Sequence, residues 1–200
     1  MCSSRSDEQL IKQDAALRAE VDELLGARGL GQLLADYGTV HVTGSCALRL
    51  MTWRDLDIYL EVRELDLGRF FELGGRMAAL LSPLHMAWHR DCEGHSELNG
   101  LEALYWGVKP ETLGEQWKVD LHAVRPDAAR ELLGRSGRLA ARLTPETRLV
   151  ILRLKDALWQ HAEYRRGFAS QDIYDAVLDS GVRDMDGFKA FLLRVKNIPL

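Results

Sequence analysis

Residues 42–60 read Val-Thr-Gly-Ser-Cys-Ala-Leu-Arg-Leu-Met-Thr-Trp-Arg-Asp-Leu-Asp-Ile-Tyr-Leu. From Asp55 onward the apolar residues alternate with polar ones, so 55–62 reads as a strand. Alternation sends Asp55 and Asp57 to one face, and Leu56, Ile58 and Leu60 to the other, toward a core. Upstream, the β-branched run at 39–43 reads as a buried strand that Gly44 and Ser45 break, with a short helix over 46–51. Two carboxylates side by side repel each other, and charge removed from water is costly. A divalent cation between them relieves both problems, because Mg²⁺ prefers hard oxygen ligands and keeps waters and phosphates in its shell. An isolated Asp-x-Asp is most often a solvated strand face. What separates this one is the turn before it. A glycine there lets backbone N–H groups approach a phosphate, a helix N-terminus favours an anion, and Ser45 adds a hydroxyl donor.

A third acid lies on a later strand, 116–124. Trp117, Val119, Leu121 and Ala123 alternate on its apolar face, leaving Lys118, Asp120 and His122 on the other. Asp120 in this core-like strand suits a shared metal site, completing a two-metal clamp or taking a proton from an attacking hydroxyl. Around these segments the spacing predicts helix over 6–36, interrupted at 26–31, and helix over 66–81, closed by Pro83. Further strands are expected at 84–90 and 101–108, with 109–114 as a hairpin connection to the strand at 116–124. From Pro126 the pattern is helical, with joints expected at 134–137 and 167–169. Strands and helices are partly segregated. The expected class is α+β, a mixed sheet flanked by helices over 1–125 followed by a C-terminal helical bundle over 126–200.

Gly44, Ser45, Asp55, Asp57 and Asp120 together resemble the signature of the DNA polymerase β-like nucleotidyltransferase superfamily: hydrophobic-Gly-Ser, a gap of about ten residues, Asp-hydrophobic-Asp-hydrophobic, and a third acid on a later strand. The likeness covers residues 38–124 and is closest to small bacterial members, among them antibiotic nucleotidyltransferases and nucleotidyltransferase toxins. It implies Mg²⁺, two ions at the three acids, NTP phosphates at Gly44 and Ser45, and in-line attack on the α-phosphate with release of pyrophosphate. The run at 152–159 looks like the family's helix after the palm, which carries the triphosphate contact onto Lys155. A homodimer is an open option, since several small members complete their sites across one.

The residues around this frame carry plainer readings. Thr144 and Pro145 open a helix on which Val150, Leu154, Ala157, Leu158 and His161 form the buried stripe, while Arg148, Leu152, Lys155 and Trp159 share an intermediate face at the edge of the core. Ser170 reads as an N-cap and Tyr174 as core. Arg49 and Arg54 flank the motif and either reach phosphate or pair with nearby acids. Trp53, Trp106 and Trp117 either line an acceptor pocket or pack in the core. Glu102 is an alternative to Asp120 as general base.

Bulk properties set the outer limits. The chain has 200 residues, 46% hydrophobic and 28% charged, which is ordinary globular usage. No apolar run suits a membrane span, and the polar N-terminus is no secretory signal, so a cytoplasmic protein is expected. Three cysteines, Cys2, Cys46 and Cys92, make no disulfide framework. His85, His89, Cys92 and His95 lack the tight Cys pairs of a zinc site and read as polar strand and loop residues. The net charge of −4 argues against nucleic-acid binding by bulk charge, but it divides as −7 over 1–125 and +3 over 126–200. An acidic first part suits a small cationic acceptor such as an antibiotic, whereas Arg130, Arg135, Arg138, Arg142, Arg165 and Arg166 would suit tRNA or a protein. A non-catalytic nucleotide-binding module of the same fold is the reading from a different class.

Overall fold

The computed structural model describes residues 5–92, 98, 100–112 and 115–200. Helices α1 (Asp7–Leu25) and α2 (Leu30–Ala35) lead into β1 (Thr39–Thr43), the short α3 (Gly44–Ala47) and β2 (Asp55–Glu61). Then come α4 (Leu67–Leu81), β3 (His85–Asp91), β4 (Ala103–Lys109), the two-residue strands β5 (Glu111–Thr112) and β6 (Glu115–Gln116), and β7 (Lys118–Val124). The chain ends in α5 (Pro126–Ala140), α6 (Pro145–Leu158), α7 (Ser170–Leu178) and α8 (Met185–Lys196). It is an α+β fold with a five-stranded mixed sheet ordered β1-β2-β7-β4-β3. The central β2–β7 pair is parallel and the other pairs are antiparallel.

The alternation in β2 and β7 decides which face is dry. Leu56, Ile58, Leu60, Val119, Leu121 and Ala123 are at most 2% exposed. They pack with Leu17, Val21 and Leu24 of α1, the leucines of α2, and Phe70, Leu73, Met77 and Leu81 of α4. α4 comes close because Gly74 has no side chain: a Cβ there would lie 2.5 Å from the Trp106 indole. That indole is fixed by its Nε1–H, which donates to the Phe70 carbonyl at 3.1 Å. Gly74→Ala is therefore expected to lower stability by about 1–3 kcal/mol through overpacking, less a small gain in helix propensity. At Gly75 a Cβ would meet nothing within 4 Å. Gly75→Ala, on the same helix, is expected to stabilise by about 0.5–1 kcal/mol. Urea denaturation of the pair should give opposite signs.

The other sheet face carries the polar residues of β2 and β7. At its Val124 end it is covered by α5, through Ala128, Ala129 and Leu132. A further core joins Val150, Ile151, Leu152, Leu154 and Leu158 of α6 to α7, α8, Leu10 of α1 and Leu48 and Leu50 of the α3–β2 connection.

Several expectations are corrected. The short helix begins at Gly44 rather than Cys46. α5 runs unbroken through Gly134 and Gly137, because its buried first half holds it on the sheet. Ser170 is not the N-cap of α7. The cap is Ala169, whose N–H donates to the Asp172 carboxylate at 2.8 Å, while Ser170 Oγ pairs with the Tyr164 hydroxyl at 2.6 Å. Of the hairpin at 109–114, residues 113–114 lie outside the described residues, as do Cys2 and His95. No described helix is long and apolar enough to cross a membrane.

Candidate metal and nucleotide site

Register brings the acids together. In the parallel β2–β7 pair, Asp57 stands opposite Asp120 and Asp55 opposite Lys118. One ligand oxygen from each of Asp55, Asp57 and Asp120 falls within 4.8 Å of the others. β1 adds the turn: Thr43 pairs with Asp57, and Gly44 follows at φ +59°, a left-handed conformation that favours glycine. A Cβ on Gly44 would lie 1.9 Å from Asp57 Oδ2, so the turn backbone rests directly on that carboxylate. Ser45 is the next residue and is buried. The five residues Gly44, Ser45, Asp55, Asp57 and Asp120 thus share one corner of the sheet.

The connection between α3 and β2 has no ladder of its own, and side chains from α1 and α6 satisfy its backbone. Arg148 donates to the Arg49 carbonyl at 2.7 Å, and Lys155 Nζ donates to the Leu50 carbonyl at 2.7 Å. Asp14 Oδ1 accepts the Met51 N–H at 2.9 Å, and Gln13 donates to the Thr52 carbonyl at 2.7 Å. Arg49 adopts φ +59° within this clamp. Lys155 accordingly differs from its expected place at a cleft edge. It is 1% exposed, because α1 and α7 cover the helix face that local periodicity marks as intermediate, and its ammonium also meets the Tyr174 hydroxyl at 3.3 Å. Burial lowers its pKa, opposed by Tyr164, Asp55 and Asp57.

Electrostatics show what the acids lack. Burial first, then Asp55 and Asp120, push the Asp57 pKa up to about 7. Asp55 is also raised, by burial, against the opposing charge of Lys118. Asp55 Oδ1 is buried without a hydrogen-bond partner among the described residues. Hard oxygen donors crowded together in a buried corner, one of them without a hydrogen bond, fit a divalent metal ion.

Around them stand Lys118, His122, Trp53 and Arg165, together with Tyr105, which local sequence patterns do not single out. Lys118 Nζ hydrogen-bonds Asp120 Oδ2 and lies 3.5 Å from Asp55 Oδ1. Tyr105 donates to Asp120 Oδ1 at 2.7 Å, its ring leaning along β4 over Gly107, where a Cβ would be 2.3 Å from the hydroxyl. Tyr105 is held between His89 and His122, with ring centroids 4.3 and 4.8 Å away. Arg165, at φ +68°, lies 3.9 Å over the Trp53 ring and 3.9 Å from Asp55 Oδ2.

The remaining candidates separate cleanly. Arg54 pairs with Glu20 at 2.7 and 3.0 Å. Trp106 and Trp117 are buried, leaving Trp53 half-exposed beside the acids. Glu102 is bonded by Arg90 and Arg125 and opens the far end of β4, which removes it as a base for this site. A concavity of ≈ 690 Å³ lies at the other end of β2, lined by Tyr37, Arg63, Asp66 and Arg69 among others and by none of the three acids.

His122 gives the site a pH dependence. Burial lowers its pKa to about 4, against Asp91 and Asp120, which raise it. The folded value lies below the unfolded one, near 6.5, so the unfolded chain takes up the proton first and this group's stabilisation is lost as pH falls from about 6.5 to about 4. Asp57 titrates with the opposite sign across that range, so the contribution is read as a difference between variant and wild type. His122→Phe is expected to make the variant more stable relative to wild type at pH 4 than at pH 7 by roughly 2–3 kcal/mol, measured by urea unfolding at several pH values.

Comparison with models of known protein families and with curated proteins finds no match.

Proposed function

We propose that this protein is a divalent-metal-dependent nucleotidyltransferase that moves a nucleoside monophosphate from an NTP to a hydroxyl-bearing small molecule and releases pyrophosphate. The observation that carries the reading is the contact of the Gly44 turn with Asp57. It joins a phosphate-binding backbone to a three-carboxylate cluster in one corner. Asp55 and Asp57, with Asp120 beside them, would hold Mg²⁺, which supplies Lewis-acid stabilisation of phosphate charge when bound.

The chain's own groups do the rest. The turn at Gly44 and Ser45 presents N–H and hydroxyl donors to the triphosphate. Asp120 receives the acceptor's hydroxyl proton as the new O–P bond forms and the bond to pyrophosphate breaks. Tyr105 and Lys118, bonded to the two oxygens of Asp120, fix its orientation. Lys155 acts from beneath, anchoring Leu50 and so the loop that joins the turn to β2. The indole of Trp53, stacked on Trp159, carries the Arg165 guanidinium beside Asp55, where it can meet phosphate charge.

Two of the arginines suited to RNA, Arg135 and Arg142, are engaged by Glu131 and Asp179, which favours the small acceptor. The test is Mg²⁺-dependent pyrophosphate release with each of the four NTPs, against aminoglycosides, lincosamides, bulk tRNA and total protein. Release that requires one small acceptor is expected. Release only with tRNA, weakening steeply with salt, would replace the acceptor class. NTP binding without release across a broad panel would make the protein a binding module.

A further inference from the structure

β7 presents Lys118 and Asp120 on the same face, two residues apart, and its register sets them opposite Asp55 and Asp57. The Lys118 ammonium hydrogen-bonds Asp120 Oδ2 and stands 3.5 Å from Asp55 Oδ1, so one protein-borne positive charge already bridges the first and third acids. We infer that the site takes a single divalent cation per chain, at the Asp55 and Asp57 pair, with Lys118 serving as the second positive charge between Asp55 and Asp120. This rests on the reading of the three acids as a metal centre, and it revises the two-ion arrangement that the sequence resemblance implies.

Three observations support it. First, Lys118 has no cheap way out. Its side chain is 23% exposed, on a central strand, and withdrawing it breaks its ion pairs with both carboxylates at once. A second metal ion bridging Asp55 and Asp120 would have to displace it. Second, the charges nearly close. Three carboxylates face Lys118 and, at 3.9 Å from Asp55, Arg165, which leaves one net negative charge. One divalent cation more than cancels that, and a second would build up positive charge before any nucleotide arrives. Third, Asp57 lacks such a partner. Its carboxylate meets the Gly44 turn, while the ion pairs of Lys118 and Arg165 among the described residues go to Asp55 and Asp120, so the place left for a cation is on the Asp55 and Asp57 side.

The experiment is a titration of the full chain with Mn²⁺ alone, followed by electron paramagnetic resonance. It counts bound ions and shows from the lineshape whether two are close together. Wild type should bind one Mn²⁺ with an uncoupled spectrum. Lys118→Met should bind two with a dipole-broadened spectrum, and Lys118→Arg should return to one. If Lys118→Met fails to fold, Lys118→Gln takes its place. Two coupled ions in wild type, or one in the neutral variant, would overturn the role of Lys118 and leave the metal centre standing. No bound Mn²⁺ in any variant would overturn both.

Discussion

Asp57→Asn is expected to abolish nucleotidyl transfer while making the metal-free protein more stable. The activity loss should be on the order of 10³-fold or more, since the variant removes a charged oxygen from the pair that would hold the cation. The stability gain has a separate cause. Asp57 is raised to about 7 in the fold by burial and by Asp55 and Asp120. The folded pKa exceeds the unfolded one, so between pH of about 4 and about 7 the native state holds a proton that the unfolded chain has released. Stability therefore falls as pH rises through that window, and above it the metal-free fold carries the full cost of the ionised group. Asparagine removes the charge. At pH 8 with chelator, the variant should exceed wild type by roughly 2–4 kcal/mol, and the two should converge near pH 4. Adding millimolar Mg²⁺ should raise the melting temperature of wild type, by the linkage of binding to folding, and leave the variant unmoved. A variant less stable than wild type at pH 8 without metal would show that Asp57 has a partner that neutralises it in the apo fold.

That combination was partly legible in the chain and partly not. The faces of β2 and β7 follow from a period of two, which is a local property, so Asp55, Asp57 and Asp120 could be separated from Leu56, Ile58, Val119 and Leu121 without a structure. The turn at Gly44 and Ser45 was legible for the same reason, since a glycine ending a β-branched run has few other uses. Lys155 was not. A helical wheel places it on the flank of α6, but α1 arrives from more than a hundred residues away and Leu152 and Lys155 of that flank are buried, while Ala157 and His161 of the expected stripe are exposed. Its partner, the Leu50 carbonyl, is a backbone atom with no sequence signature. Asp14 and Gln13 were hidden in the same way. They read as polar positions on an amphipathic helix and turn out to clamp Met51 and Thr52. Tyr105 depends on register and on Gly107 clearing its path, and register between β4 and β7 is set by the whole sheet. Gly134 and Gly137 mislead in the other direction. Two glycines in one helix cost about 1 kcal/mol each, which looks like a joint, yet the burial of Ala128, Ala129 and Leu132 outweighs them.

The second large effect is expected at Gly44, where conformation and space act together. Substituting alanine at φ +59° costs about 1–2 kcal/mol anywhere in a protein. Gly181, at φ +69° with nothing within 4 Å of where a methyl would sit, isolates that cost: Gly181→Ala should lose about that much stability and keep full activity. Gly44→Ala must also place its methyl where Asp57 Oδ2 now lies, with 1.9 Å to that oxygen and 2.7 Å to its carbon. Asp57 sits on a central strand paired on both sides, so its backbone cannot retreat and the carboxylate must rotate out of the site. Activity should fall at least ~10²-fold, because the rotated oxygen belongs to the cluster that would bind the cation. A double-mutant cycle separates the two contributions. With Asp57→Ala in place, the closest remaining contact is the Asp57 Cβ at 3.0 Å, so Gly44→Ala should there cost little more than Gly181→Ala. The coupling energy between positions 44 and 57 is expected at about 1–2 kcal/mol by denaturant unfolding. A coupling near zero would mean that the turn and the carboxylate do not share that space in solution. The physical link between the Gly44 turn and the Asp55–Asp57 strand, on which the proposed reaction depends, would then be gone.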